Sequence, residues 1–241
     1  MTATHLRMLG AVAGYTPTIP VLQGIDLEVS PERCTVVLGP NGSGKSTILR
    51  VLYGLLDLQE GEIRLGDRRI DGTPTHRLLE MGVAFLPQGR SVFPQLTVDE
   101  NLRVGGWIFG RDVHRLEEAL DRVYAQYPLL ANMSQAPAGS LSGGQQRMLE
   151  IARMVLTDPQ VLLIDEPSAG LAPNLVDEVY VEIERLKADG KTVLLVDQNV
   201  EAAIGLADHV YIVEYGKVKA EGQVDDFAGD VAGIVREWLR V

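Results

Sequence analysis

The sequence predicts an α/β fold built on a mainly parallel sheet. Four short apolar runs, at residues 34–38, 83–86, 161–164 and 192–196, have the length and composition of buried parallel strands. Helical patterns alternate with these runs, which is typical of a parallel sheet covered by helices. The stretch from about 91 to 155 has no strand signal, so we expect a mainly helical lobe inserted into the α/β core.

The remaining elements are predicted from periodicity and turn residues. Apolar residues recur at helical spacing after Lys45 and at residues 112–127 and 174–188. Residues 210–218 predict two strands around a glycine-containing turn, which adds an antiparallel β portion to the fold. Residues 229–240 predict a short terminal helix.

The chain shows no internal repeat or low-complexity linker, and 241 residues can bury one substantial core. We therefore interpret residues 1–241 as a single domain. Within it, about 1–90 and 156–241 form the α/β core and about 91–155 form the inserted helical lobe.

Composition and charge exclude several classes of function. The net charge is −11 and there is no dense Lys/Arg block, which argues against nucleic acid as a partner. No apolar run approaches the ~20 residues that cross a bilayer, and the first residues lack the apolar segment of a secretory signal, so any membrane connection is expected through a partner. The single cysteine, Cys34, begins an apolar run and is expected to be a core residue in a reducing compartment. The four histidines show no metal-ligand spacing.

A phosphate-binding loop is the first functional motif. Residues 39–46 match G-x-x-x-x-G-K-[ST] between a strand and a helix, where converging backbone N–H groups and the helix N-terminus bind phosphate. Lys45 would neutralise the β- and γ-phosphates, Ser46 would ligate Mg²⁺ and Thr47 would reach the α-phosphate. The alternative is a glycine-rich turn that only joins strand to helix. The predicted nucleotide-binding residues here are Gly39, Pro40, Asn41, Gly42, Ser43, Gly44, Lys45, Ser46 and Thr47.

A pair of carboxylates follows the apolar run at residues 161–164. Ligands of open α/β sheets bind at such strand ends. Asp165 would hold Mg²⁺ opposite Ser46, and Glu166 would act as general base on the attacking water. A solvated acidic turn before Pro167 is the alternative.

A second glycine-rich helix start lies between these motifs. Ser142, Gly143, Gly144 and Gln145 follow Leu141 and precede a helical pattern. Such a start offers another anion site, and one bound nucleotide does not need two. We therefore expect this site to serve a nucleotide held by a second subunit.

With these motifs in place, the sequence resembles the ATP-binding-cassette (ABC) ATPases over nearly its whole length. The resemblance implies that two cassettes pack head to tail, each holding ATP between its own phosphate loop and the LSGGQ segment of its partner. It further implies that Tyr15 stacks on adenine, although an ordinary strand tyrosine is the alternative. Gln88 would sense Mg²⁺ and the γ-phosphate next to a helical lobe that docks on transmembrane permease subunits. Residues 168–171 would form a loop that crosses to the other cassette.

Two positions depart from the family pattern. Ala172 stands where an aspartate usually follows the crossing loop, and Gln198 stands where a histidine usually contacts the γ-phosphate. Glutamine can donate a hydrogen bond but cannot become a cation. Gln198 is therefore expected to play a reduced catalytic role, and the two departures weigh against full symmetric activity of two ATP sites.

The same departures point to one branch of the family, which the sequence resembles in several motifs. Residues 87–90, 92–94, 96–102, 167–173 and 198–199 are similar to the shorter ATPase subunit of importers for branched-chain and other hydrophobic amino acids. Urea and short-chain amide importers share much of this pattern, and a soluble cassette ATPase or a non-hydrolysing clamp is a further alternative. The importer would place the chain on the cytoplasmic side of the membrane, with a solute-binding protein as an indirect partner.

Overall fold

The computed structural model describes residues 5–224, so the helix predicted at 229–240 lies outside the described residues. The strands are β1 (Leu6–Ala13), β2 (Leu22–Val29), β3 (Cys34–Leu38), β4 (Glu60–Leu65), β5 (Arg68–Arg69), β6 (Val83–Leu86), β7 (Val161–Asp165), β8 (Thr192–Val196), β9 (His209–Glu214) and β10 (Lys217–Gln223). The α-helices are α1 (Lys45–Leu52), α2 (Thr75–Glu80), α3 (Val98–Gly105), α4 (Val113–Gln126), α5 (Pro128–Asn132), α6 (Gly143–Val155), α7 (Pro173–Ala188) and α8 (Val200–Leu206), with short 3-10 helices at Trp107–Phe109 and Ala138–Ser140.

The main sheet has six strands in the order β10-β9-β3-β8-β7-β6. Neighbouring strands from β9 to β6 run parallel, and β10 joins β9 as an antiparallel hairpin. The four apolar runs of the sequence are β3, β6, β7 and β8. The predicted α/β class with a mainly parallel sheet is therefore confirmed.

Two hydrophobic cores lie on opposite faces of this sheet because side chains alternate along a strand. On β3, Val36 and Leu38 face the core formed with α3, α4, α6 and α7, while Val37 faces the core that contains α1. Cys34 is fully buried on the first face, and this burial raises the pKa of its thiol to about 12. It is a core residue, as expected.

A separate antiparallel sheet, in the order β2-β1-β4-β5, covers α1. The sequence did not locate these strands. Their alternation is interrupted by a register shift between Met8 and Ala11, where Gly10 adopts a positive φ of 58°. A bulge of this kind moves the following residues to the other face, which disrupts the period-two pattern.

The named elements between β6 and β7 are all helices, from α3 to α6. The first of them, α3, is fixed by a capping box between Thr97 and Glu100. The buried amide of Asn101 hydrogen-bonds both to the backbone N–H of Phe93, at 2.8 Å, and to its carbonyl, at 3.0 Å. The helical content of this stretch agrees with the expected lobe, while its division from the core at about 91 and 155 remains a prediction. Within residues 5–224, no helix is long and apolar enough to span a bilayer.

Candidate nucleotide and catalytic site

The phosphate-binding loop lies between β3 and α1, and its neighbours fix its path. A Cβ atom at Gly39 would lie 2.1 Å from the carbonyl oxygen of Val213, so only glycine fits there. Gly44 adopts a φ of 109° at the start of α1, a conformation that other residues rarely adopt. The N–H of Gly216, in the β9–β10 turn, donates to the carbonyl of Ser43 at 2.9 Å. The end of β9 and the β9–β10 turn therefore position the loop at two points, Gly39 and Ser43.

Lys45 and Ser43 supply the chemistry of an anion site within this loop. The ammonium of Lys45 is buried and donates to the carbonyls of Gly39, at 2.7 Å, and Pro40, at 3.1 Å. Burial lowers the pKa of Lys45, while nearby Glu166 and Asp165 oppose that shift. The hydroxyl of Ser43 is buried without a hydrogen-bond partner among the described residues. A buried polar atom needs a partner, so these groups fit a bound phosphate.

Ser46 and Asp165 meet as the sequence predicted. The hydroxyl of Ser46, in the first turn of α1, donates to Oδ1 of Asp165 at 2.9 Å. Asp165 ends β7 and is buried, and this burial raises the pKa of its carboxyl although the Ser46 hydrogen bond opposes the shift. A hydroxyl and a carboxylate are hard oxygen ligands that suit Mg²⁺. Residues 5–224 contain no group of three or more His, Cys, Asp or Glu side chains placed to hold a metal.

Glu166 is held between two glutamines. Nε2 of Gln88, after β6, donates to Oε2 of Glu166 at 2.6 Å, and Nε2 of Gln198, after β8, donates to Oε1 at 2.5 Å. The backbone of Glu166 has a φ of 43°, which is uncommon for a residue other than glycine. Its N–H donates to the carbonyl of Val196 at 2.8 Å, which stabilises that conformation. Backbone strain of this kind is concentrated at functional sites.

These side chains line one cavity of about 510 Å³. It brings together residues predicted from five separate segments of the chain. Its lining residues are Tyr15, Val21, Asn41, Gly42, Gly44, Lys45, Ser46, Thr47, Gln88, Glu166 and Gln198. Asp165 is not among the lining residues, but it accepts a hydrogen bond from Ser46, which is.

Tyr15 lies at the mouth of this cavity in the connection between β1 and β2, not in a strand. Its hydroxyl is 3.4 Å from the hydroxyl of Thr47 and accepts a hydrogen bond from Arg50 at 3.0 Å. Tyr15 is 57% exposed, so its ring is accessible to a ligand, and the guanidinium of Arg50 lies 5.9 Å from the ring centroid. The interpretation of Tyr15 as an ordinary strand tyrosine does not hold.

The second glycine-rich segment lies elsewhere. Ser142 caps α6 in a capping box with Gln145, with the backbone N–H of Gln145 3.3 Å from the serine hydroxyl. Among the described residues, none of Ser142, Gly143, Gly144 and Gln145 lines the cavity around Lys45. These residues lie outside the cavity, as expected of a segment that contacts a nucleotide held by another chain.

Sequence reasoning missed Arg147, which ties α6 to the loop after β7. Its guanidinium is buried and donates to the carbonyls of Pro167, at 2.6 Å, and Glu166, at 3.1 Å, while pairing with Glu150 at 2.8 Å. Glu150 in turn accepts from the backbone N–H of Ser91. A charged pair spaced i, i+3 on the apolar face of a helix was the available signal.

Comparison with known proteins agrees with this geometry. The family model described as ABC transporter matches residues 22–169. The high-affinity branched-chain amino acid transport ATP-binding protein BraG of Pseudomonas aeruginosa is 38% identical over 86% of this chain and 88% of its own. The probable branched-chain amino acid transport ATP-binding protein LivF of Archaeoglobus fulgidus is 35% identical over 92% of this chain and 93% of its own. The ADP conformation of MJ1267, an ATP-binding cassette of an ABC transporter, superposes with a TM-score of 0.83 at 28% identity and covers 98% of this chain and 99% of that one.

Proposed function

The chain belongs to the ABC transporter family as one of its ATP-hydrolysing subunits, and from this premise we propose that it powers the import of branched-chain or other hydrophobic amino acids. The observation that carries the proposal is the 38% identity with BraG, which extends over 86% of this chain. Subunits of this family work with membrane permease components. The chain would therefore sit on the cytoplasmic face of the membrane, with a solute-binding protein as an indirect partner.

We propose a role toward ATP and Mg²⁺ for the residues at this cavity. Lys45 and the loop N–H groups would hold the phosphates, and Tyr15 would cover the adenine. Mg²⁺, which would neutralise developing phosphate charge, would be held by Ser46, Asp165 and Gln88. The donation from Ser46 to Asp165 at 2.9 Å supports the first two ligands.

Glu166 is proposed as the general base for hydrolysis. Its carboxylate would accept the proton of the attacking water, and the two glutamines that hold it would fix the direction of that transfer. Gln198 would offer a neutral hydrogen bond where a histidine could carry charge. The Ser142–Gln145 segment, outside the cavity, would complete the site of a second ABC ATPase subunit.

A groove beside the helical stretch is the proposed contact with permease subunits. It has a volume of about 380 Å³ between Phe85, Phe93, Val104, Trp107 and Arg153. Phe93, Val104 and Trp107 are exposed large apolar side chains, which mark interaction surfaces when they are contiguous. Ser91 and Phe93, from the segment at residues 91–94, line the groove, and the guanidinium of Arg153 lies 5.6 Å from the ring centroid of Phe93.

Purification of the complex from its native membrane, followed by reconstitution in vesicles, tests the proposal. ATP should drive uptake of labelled leucine, while labelled urea and short-chain amides should not accumulate. Glu166→Gln keeps shape and hydrogen bonding but removes the proton acceptor, so hydrolysis should fall by ~10²-fold with ATP still bound. Urea uptake without leucine uptake would overturn the substrate, and near wild-type hydrolysis by Glu166→Gln would overturn the base.

A further inference from the structure

A buried phenol and a buried carboxylate form a pair just outside the nucleotide cavity. Tyr180, on α7, donates from its hydroxyl to Oδ2 of Asp197 at 2.7 Å. Both residues are buried, and Asp197 comes directly after β8. Neither residue lines the cavity described above. Hydrogen bonds to a charged group are stronger than neutral ones, so this pair fixes the position of both side chains.

Asp197 fixes the backbone that carries Gln198. Its second oxygen, Oδ1, accepts from the N–H of Gln198 at 2.7 Å and from the N–H of Asn199 at 2.9 Å. Both carboxylate oxygens are therefore used, one by the phenol and one by the chain itself. The side chain of Gln198 leaves this fixed backbone and reaches Glu166.

The same phenol also touches the loop that carries Glu166. The hydroxyl of Tyr180 is 3.4 Å from the hydroxyl of Ser168, two residues after Glu166. Because the phenol proton is donated to Asp197, Ser168 is the donor in this contact. One hydroxyl on α7 thus joins the loop after β7, which carries Glu166, to the loop after β8, which carries Gln198.

We propose that Tyr180 and Asp197 are positioning residues that hold Gln198 against the carboxylate of Glu166. Neither residue touches the reacting atoms; Tyr180 acts through Asp197, and Asp197 acts through the backbone of Gln198. The proposal rests on the assignment of Glu166 as the base. It predicts that loss of the phenol hydroxyl slows turnover without weakening the binding of ATP.

Tyr180→Phe tests this directly because it removes only the hydroxyl. Steady-state hydrolysis of Mg-ATP by the assembled transporter should show kcat lowered about fivefold with KM nearly unchanged. In a Gln198→Ala background, Tyr180→Phe should cause no further loss, because the residue through which it acts is already gone.

Tyr124→Phe is the matched control. Tyr124, on α4, donates to Oδ1 of Asp99 at the same 2.7 Å, but in the helical stretch away from the cavity. Both variants lose one hydrogen bond from a phenol to a carboxylate, so their thermal midpoints should fall by similar amounts. Only Tyr180→Phe should lower kcat.

Two results would overturn the proposal. One is a wild-type kcat in Tyr180→Phe, and the other is an equal loss with and without Gln198. Glu166→Gln is assayed beside them to test the assignment of the base separately from the positioning role. If Glu166→Gln does not slow hydrolysis, Glu166 is not the base. If Tyr180→Phe does not fold, Asp197→Asn replaces it and should lower kcat in the same way, with an unchanged kcat again overturning the proposal.

Discussion

The buried ammonium of Lys45 donates to two backbone carbonyls, and in the same loop the buried hydroxyl of Ser43 has no hydrogen-bond partner among the described residues. Replacing Lys45 with alanine removes the cation that would face the β- and γ-phosphates. We expect ATP affinity to fall by about 100-fold, the effect of losing a strong charge-assisted contact. Titration calorimetry with Mg²⁺ present measures it.

Lys191→Ala is the control for that experiment because Lys191 pairs with the exposed Asp158 instead. Its ATP affinity should equal that of the wild type. Unchanged ATP affinity in Lys45→Ala would show that the phosphate-binding loop is not part of the nucleotide site.

Gln198 is the residue where the sequence departs from the family and the structure adds a contact. Gln198→Ala should slow hydrolysis by ~10-fold, about 1.4 kcal/mol, because it removes one hydrogen bond from an uncharged amide to the carboxylate of Glu166. ATP affinity should change little, and the loss should be smaller than that of Glu166→Gln. Steady-state assays on the assembled transporter measure both, and equal turnover in Gln198→Ala and wild type would contradict a catalytic role.

At the residue scale, the sequence could predict the residues proposed to bind the nucleotide but not those proposed to position them. Lys45 and Ser46 stand in one continuous motif, and Asp165 and Glu166 end an apolar strand, so their roles follow from local pattern. Tyr180 and Arg147 act on backbone atoms and side chains distant in sequence. No local pattern carries that information.

The groove beside α3 is the element through which the chain would meet its permease. Phe93→Glu would place a charge among exposed apolar side chains and so oppose burial at an interface. We expect this variant to lose copurification with the permease subunits while ATP affinity stays unchanged. Val113→Glu, at an exposed position of α4 outside the groove, should still copurify. Retention of the permease by Phe93→Glu would exclude this segment from the interface.

At the element scale, the buried strands and the β9–β10 turn were predictable, while the half-exposed strands of the β2-β1-β4-β5 sheet were not. The runs that became β3, β7 and β8 are apolar on both faces because both faces of the main sheet are covered. β2 buries only part of its length and contains Gly24 at a φ of 82°, so its residues give no continuous apolar run. The bulges in this pairing arise from contacts between strands, which a single segment does not reveal.

Asp208 links three distant parts of the whole molecule. Its carboxylate accepts from the N–H of Cys34 at 2.7 Å and pairs with Lys187 at 2.9 Å and Arg33 at 3.1 Å. Burial alone would raise the pKa of Asp208, but these hydrogen bonds outweigh burial and lower the pKa below its ordinary value. The ionised form is therefore the one that stabilises the fold.

Asp208→Asn should cost about 2 kcal/mol at pH 7, which lowers the Tm by about 4–8 °C. Because the folded pKa is below the unfolded one, the stabilisation is complete above pH ~4 and disappears as pH falls through the lowered folded pKa. Thermal denaturation of both proteins across this range should show the two Tm values converging in acid. Glu80→Gln, which breaks an exposed pair with Arg77, should shift Tm little at any pH. A Tm gap between wild type and Asp208→Asn that is independent of pH would contradict the role of the charge.

The strand order of the main sheet has a consequence for how the chain is made. β3, at residues 34–38, pairs only with β8 and β9, which a ribosome produces more than 150 residues later. Until those strands emerge, β3 has two unpaired edges and the phosphate loop lacks the Val213 and Gly216 contacts that shape it. Unpaired strand edges favour aggregation, so this risk lasts while the residues between β3 and β9 are made. Bound nucleotide can stabilise the sheet only after β9 and the β9–β10 turn have been added, because the phosphate loop takes its shape from them.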